Sequence, residues 1–304
     1  MTTEKMQNIA VLYGGLSRER EVSLVSGRMC SEALERAGFE ADLIDAGRDL
    51  PLELQRNKPD AVFNALHGRW GEDGCVQGLL EILQIPYTHS GVCASSVAMN
   101  KELSKSVFAA HGLRTPKGRV IDAGELDKQH PAPPPYVVKP INEGSSVGVQ
   151  IVRAGQSKLP RAMPEYGRWV MLETFVPGRE LTVSVLQGRA ITVTEIVTGD
   201  WYDYSAKYDA GGSKHILPAA IPSEIFRACL EQAETAHAAL GCRGLTRTDF
   251  RWDEEKGAEG LHILELNTQP GMTPTSLSPE QAAFAGVSFK ELCSILVSDA
   301  SCDR

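Results

Sequence analysis

Apolar and polar positions change period in blocks along the chain. Asn8–Tyr13 is a short apolar run broken by Gly14-Gly15, the pattern of a buried strand. From Arg20 to Ala37 apolar side chains recur near every 3.6 residues, at Val22, Val25, Met29, Ala33 and Leu34. That spacing predicts a helix, closed by Gly38. A second strand at Phe39–Ile44, a short helix and a third strand at Ala61–Ala65 follow. Such alternation opens a parallel sheet, whose ligands sit beyond the carboxyl ends of the strands. Two polar glycine-rich stretches, beginning at Gly14 and at His67, fall at those ends.

Met99 to His111 reads as a further helix, ended by Gly112. Asp127–Pro135 is a proline-rich surface loop. Tyr136–Lys139 and Val149–Val152 read as a hairpin around Pro140–Gly148, with one more strand at Trp169–Glu173. Later strands are predicted at Leu181–Leu186, Ala190–Val197, Gly244–Trp252 and His262–Asn267. A helix from Ser223, its N-cap, to Leu240 stops at Gly241, and a last helix runs from Pro279 to Val297.

Composition narrows the classes. The 304 residues are 42% hydrophobic and 23% charged, so the chain folds, into two domains or three small ones. A net charge of -8 argues against a nucleic-acid partner. No apolar run approaches the roughly 18 residues of a membrane span. The N-terminus lacks the pattern of a cleaved signal peptide. Seven scattered cysteines without a C-x-x-C pair argue against zinc or a disulfide framework and point to the cytoplasm.

Three stretches carry chemistry. On neighbouring strands, i and i+2 spacing puts Arg247 with Asp249, and Glu265 with Asn267, on common faces. If those faces meet, Asp249, Glu265 and Asn267 are hard oxygen donors suited to magnesium; otherwise they are a solvated sheet face. Lys139, at a strand end, precedes a Gly/Ser hairpin through Gly148 that is either a phosphate cradle or an ordinary turn. It is not a P-loop, and no G-x-G-x-x-G follows the first strand. After Asn267, the Gly271 N–H and the Ser276 hydroxyl can face a carboxylate or an oxyanion.

Six ordered blocks make the whole chain resemble the ATP-grasp ligases, most closely the D-alanine–D-alanine ligase family. They begin at Gly14-Gly15-Leu-Ser-Arg-Glu19, Ala65-Leu-His67-Gly-Arg-Trp-Gly-Glu-Asp-Gly, Lys139, Tyr202-Asp-Tyr-Ser-Ala-Lys207-Tyr208, Arg247-Thr-Asp249 and Glu265-Leu-Asn267. The resemblance implies an α/β, three-domain ATP-grasp architecture with an N-terminal open parallel sheet. Its domains span residues 1–97, 98–182 and 183–304, with the metal site and a closing loop in the last.

The same resemblance implies roles. Asp249, Glu265 and Asn267 match ligands of two Mg²⁺ ions, replaceable by Mn²⁺, on ATP. Lys101, Lys139 and Lys207 match lysines at the phosphates, with Ser145 and Ser146 in the loop above them. Glu173 matches the acceptor of the adenine amino group, Glu180 that of the ribose hydroxyls, and Phe175 and Val176 the adenine slot. Glu19 matches the group on the first D-alanine ammonium, with His67 near that substrate. Arg247 and the Gly271 N–H match the oxyanion position, and Ser276 with Leu277 the second D-alanine. Tyr208 closes over the site from the loop Thr198–His215. Unaided, His67 reads as a structural histidine. The implied partners are D-alanine and ATP, in a cytoplasmic homodimer.

Two features depart from the family pattern. His89, in Tyr87-Thr88-His89-Ser90-Gly91, stands where glycine is common. Ser157–Arg168, with Pro160 and Pro164, has a less helical pattern than the family's central domain. Within the superfamily, D-alanine–D-lactate and D-serine ligases are the rivals, and the Lys207-Tyr208 pair favours an amine nucleophile over D-lactate. A non-catalytic ATP-binding module would have lost the metal ligands.

Overall fold

The computed structural model describes residues 7–144, 147–197 and 214–302. The N-terminal alternation folds as predicted: β1 (Asn8–Tyr13), α1 (Arg20–Arg36), β2 (Glu40–Asp45), α2 (Leu50–Asn57) and β3 (Ala61–Asn64). The three strands are parallel in the order β2-β1-β3. Then come α3 (Cys75–Leu83), α4 (Val92–Met99) and α5 (Lys101–Ala110). The helix predicted from Met99 is thus α5 alone, preceded by α4. Asn100 separates them: its backbone is extended and its side chain accepts from the N–H groups of Glu102 and Leu103.

A four-stranded antiparallel sheet follows, β4 (Gly118–Asp122), β5 (Tyr136–Pro140), β6 (Gln150–Val152) and β7 (Trp169–Thr174), in the order β4-β7-β5-β6. The predicted hairpin is β5–β6. Between β6 and β7 the one helical piece is a 3₁₀ turn at Pro164–Tyr166, in keeping with the two prolines there.

The second antiparallel sheet has the order β10-β9-β8-β11-β12, from β8 (Arg179–Leu186), β9 (Arg189–Val197), β10 (Lys214–Ile216), β11 (Leu245–Trp252) and β12 (Leu261–Asn267). One face of it packs on α6 (Ser223–Ala239), where Leu181, Val183, Val193, Phe250 and Ile263 meet Ile225, Cys229 and Ala233. Ser223 is not the N-cap: Pro222 holds that position, and no side chain caps the helix. The single last helix expected from Pro279 is two, α7 (Leu277–Phe284) and α8 (Phe289–Ser298). Gly286, at φ 87, breaks the run, and Ser288 restarts it with a capping box to Glu291.

α8 reaches past the sheet nearest in sequence, of which it meets only the edge at Leu245. Leu292, Cys293 and Leu296 join Ile9, Val11, Leu34 and Phe63 in one buried cluster, so the end of the chain covers a face of the N-terminal sheet. That packing brings the loop before α7 beside the carboxyl ends of β1 and β3: Cys30 of α1 contacts the Met272 carbonyl, and Gln269 donates to that of Leu66.

Candidate active site

The clearest chemistry lies on β11 and β12. Their register pairs Arg247 with Asn267 and Asp249 with Glu265, so the two polar faces do meet. Arg247 donates from Nε to Asp249 Oδ1 at 2.8 Å and from Nη2 to Oδ2 at 2.7 Å. Asn267 Nδ2 lies 3.2 Å from Asp249 Oδ2. Thr182 of β8 donates to Asp249 Oδ1 at 2.7 Å, fixing the carboxylate from behind. Lys101, the first residue of α5, reaches Glu265 Oε2 at 3.2 Å and the Glu143 carbonyl at 2.7 Å.

Among the described residues, no three His, Cys, Asp or Glu side chains form a metal cage. Two carboxylates and one carboxamide on adjacent strands instead suit Mg²⁺, which is commonly held by one or two carboxylates plus substrate phosphates and water.

The cleft between the two antiparallel sheets is lined by Lys101, Lys139, Glu173, Phe175, Val176 and Glu265. Glu173, next to last in β7, is only 3% exposed, with Lys139 at 2.8 Å from Oε2 and Lys105 at 2.5 Å from Oε1. Burial alone would push its carboxyl up; the two lysines outweigh that and hold it below its ordinary value. Glu180, on β8, faces Arg251 at 3.4 Å. Lys105 escaped the sequence reading, although it lies four residues after Lys101 and therefore on the same helix face.

At the N-terminal sheet, Glu19 precedes the first turn of α1 and is nearly buried. A methyl group on Gly68 would fall 2.5 Å from Glu19 Oε2, so glycine is required for their approach. Glu72 was quoted in the sequence but given no role. It is buried, accepts the Gly68 N–H at 2.9 Å, and is pushed up to about 8 by burial and by Glu19. A buried carboxyl group raised by a second carboxylate beside it favours a cation between the two. His67 is buried and held neutral, pushed down to about 4 by burial, with Nε2 3.2 Å from Ser26 Oγ. It can orient a neighbour, but not as an imidazolium.

Gly271 and Ser276 stand together: a methyl group on Gly271 would lie 3.0 Å from Ser276 Oγ. Ser276 precedes α7, whose first residue, Leu277, is buried against Ile196. Gln281 and Ser278 tie α7 to β8 through Thr182 and Ser184, the strand that also steadies Asp249. Ser145, Ser146, Lys207 and Tyr208 lie outside the described residues.

Two antiparallel sheets facing one another across a cleft of lysines and acids, beside an open parallel sheet, define the ATP-grasp class of ligases. The comparisons agree. The D-ala D-ala ligase C-terminus model matches residues 128–298, and the D-ala D-ala ligase N-terminus model residues 46–90. A D-alanine--D-alanine ligase of Cereibacter sphaeroides is 62% identical over 296 residues, covering 97% of this chain and 96% of that protein. One from Ruegeria pomeroyi is 59% identical over 304 residues, covering 100% and 99%. Two crystal structures of D-alanine--D-alanine ligase from Bacillus anthracis are similar. One has a TM-score of 0.79 at 30% identity, covering 96% of this chain and 97% of that one. The other, complexed with ATP, has a TM-score of 0.78 at 29% identity, covering 97% of each. The chain belongs to the D-alanine–D-alanine ligase family.

Proposed function

We infer that this chain joins two D-alanines into D-alanyl-D-alanine, splitting ATP to ADP and phosphate, and so supplies peptidoglycan precursor synthesis. The observation that carries the reading is the β11–β12 register, which pairs Asp249 with Glu265 and Arg247 with Asn267, with Lys101 on Glu265 at the edge of the cleft.

The first D-alanine carboxylate attacks the γ-phosphorus of ATP; the bond to ADP breaks and an acyl phosphate forms. Lys101 and Lys139 neutralise phosphate oxygens. Asp249, Glu265 and Asn267 would hold magnesium, two ions with manganese as a substitute, and bound metal would offset negative charge on the phosphates. Glu19 takes the ammonium of the first D-alanine, Glu180 the ribose hydroxyls, and Phe175 and Val176 flank the base. The second amine then attacks the acyl carbon, the carbon–oxygen bond to phosphate breaks, and the amine gives up a proton. Arg247 and the Gly271 N–H meet the oxyanion, while Ser276 and Leu277 bound the second D-alanine. Lys207, Tyr208, Ser145 and Ser146 belong to this reading through the family pattern alone.

Residues 1–97, 98–182 and 183–304 serve as the three domains, each containing one of the three sheets apart from the start of β8. The reading carries a homodimer and a cytoplasmic setting with it. Among the described residues no helix is long and apolar enough to cross a membrane.

The test is phosphate release from ATP with D-alanine, L-alanine, D-lactate and D-serine in turn. D-alanine alone should drive release with dipeptide in equal amount. Release that needs D-lactate or D-serine would move the chain to a related ligase.

A further inference from the structure

Glu173 is wanted by more groups than an adenine acceptor needs. Both of its oxygens already accept from ammonium groups, Lys105 on Oε1 at 2.5 Å and Lys139 on Oε2 at 2.8 Å. Lys105 is anchored in turn, donating to the Pro116 carbonyl at 2.6 Å, and its side chain is only 12% exposed. Glycine at position 118, opposite Glu173 on β4, leaves room for the arrangement: a methyl group there would lie 2.9 Å from Glu173 Cγ. Lys139 has a second task, at the phosphates. When it turns to them, Lys105 is the ammonium left to balance the Glu173 charge. The other charged groups lining this cleft are Lys101, Glu143, Arg251 and Glu265.

An ionised carboxylate only accepts hydrogen bonds; a protonated one also donates. Adenine presents a donor at its exocyclic amine, where guanine presents an acceptor. We propose that Lys105 is a positioning residue for base selection: it fixes the Glu173 carboxylate as a pure acceptor in the wall of the nucleotide cleft, so that ATP is taken and GTP refused. The proposal rests on the assignment of Glu173 to the adenine amine.

The test is calorimetric titration with the β,γ-imido analogues of ATP and GTP between pH 6 and 8. In Lys105→Gln the ATP analogue should bind about tenfold more weakly, with little change for the GTP analogue. The preference should fall further toward pH 6, because burial now raises the Glu173 carboxyl without its partner. Wild type should keep a flat preference over that range, and Lys105→Arg, which restores the charge, should keep most of it. Adding Lys105→Gln to Glu173→Gln should change neither affinity, since the lysine acts through the carboxylate. That pair also removes the buried carboxylate and decides the matter where the single variant does not fold. A Lys105→Gln enzyme with wild-type preference at every pH, or additive losses in the pair, overturns the proposal. Nucleotide binding is read without turnover. Base selection that shifts in a protein inert toward D-alanine would therefore sink the proposed function and spare this inference.

Discussion

Arg247 and Asp249 stand two residues apart on one strand, and the guanidinium of the first grips both carboxylate oxygens of the second, at 2.8 and 2.7 Å. The pair of hydrogen bonds holds the guanidinium rigid; on the proposed function it would be counter-ion to a metal ligand and stand beside the oxyanion. A rigid donor costs no reorganisation at the moment of reaction.

Replacing Arg247 with alanine should therefore lower kcat by about a hundredfold or more, the usual range for one oxyanion donor, with a much smaller change in the KM for ATP. Arg247→Lys keeps charge but not the fork and should recover only part of the loss. Steady-state assays at saturating D-alanine decide it; a kcat within threefold of wild type in the alanine variant removes Arg247 from the chemistry.

The Lys101–Glu265 pair at 3.2 Å makes a second expectation. Glu265→Gln keeps shape and loses charge, so turnover at ordinary Mg²⁺ should fall by about three orders of magnitude or more while the circular dichroism spectrum is unchanged. Raising Mg²⁺ should recover part of the activity. Near-normal turnover at low Mg²⁺ would mean that Glu265 holds no metal.

The close approach of Gly68 and Glu19 gives a third. Glu19→Gln should raise the KM for the first D-alanine by about tenfold or more and hardly alter ATP binding. Gly68→Ala should do likewise from a distance: its φ of 70 strains any side chain, and the methyl group meets Glu19 Oε2. The strain alone should destabilise the fold by about 1–2 kcal/mol. An unchanged first-alanine KM in both variants would show that Glu19 is not the ammonium acceptor.

Much of this site was legible because its signals are local. Strand alternation alone put Asp249 beside Arg247 and Glu265 beside Asn267, and the structure supplied the register that brings the pairs together. Elements that depend on a single residue's backbone were lost. Asn100 splits α4 from α5 by capping, and Gly286 splits α7 from α8, both inside runs whose apolar spacing continues. β4 was lost as a short, partly exposed edge strand with little alternation. Lys105 and Glu72 went unassigned because their meaning comes from long-range partners, Glu173 and Glu19, 68 and 53 residues away. His89 departs from the family pattern, and its φ of 69 explains why glycine is common there.

His89 also sets the last prediction. It is 2% exposed, its ring packs edge-on against Phe63 with centroids 5.9 Å apart, and among the described residues neither nitrogen makes a hydrogen bond of good geometry. Burial pushes both His89 and His67 down to about 4. In the unfolded chain each titrates near its ordinary 6.5. The unfolded state therefore gains a proton first as pH falls, and stability that is complete above 6.5 is lost between 6.5 and 4. At pH 5 the loss is about 2 kcal/mol for each histidine. Asparagine tolerates the left-handed backbone and does not titrate, so His89→Asn should lose about 2 kcal/mol less than wild type between pH 7 and pH 5. Urea unfolding at the two pH values measures the difference directly. Equal losses in the two proteins would show that His89 is already protonated, or already solvated, in the folded state.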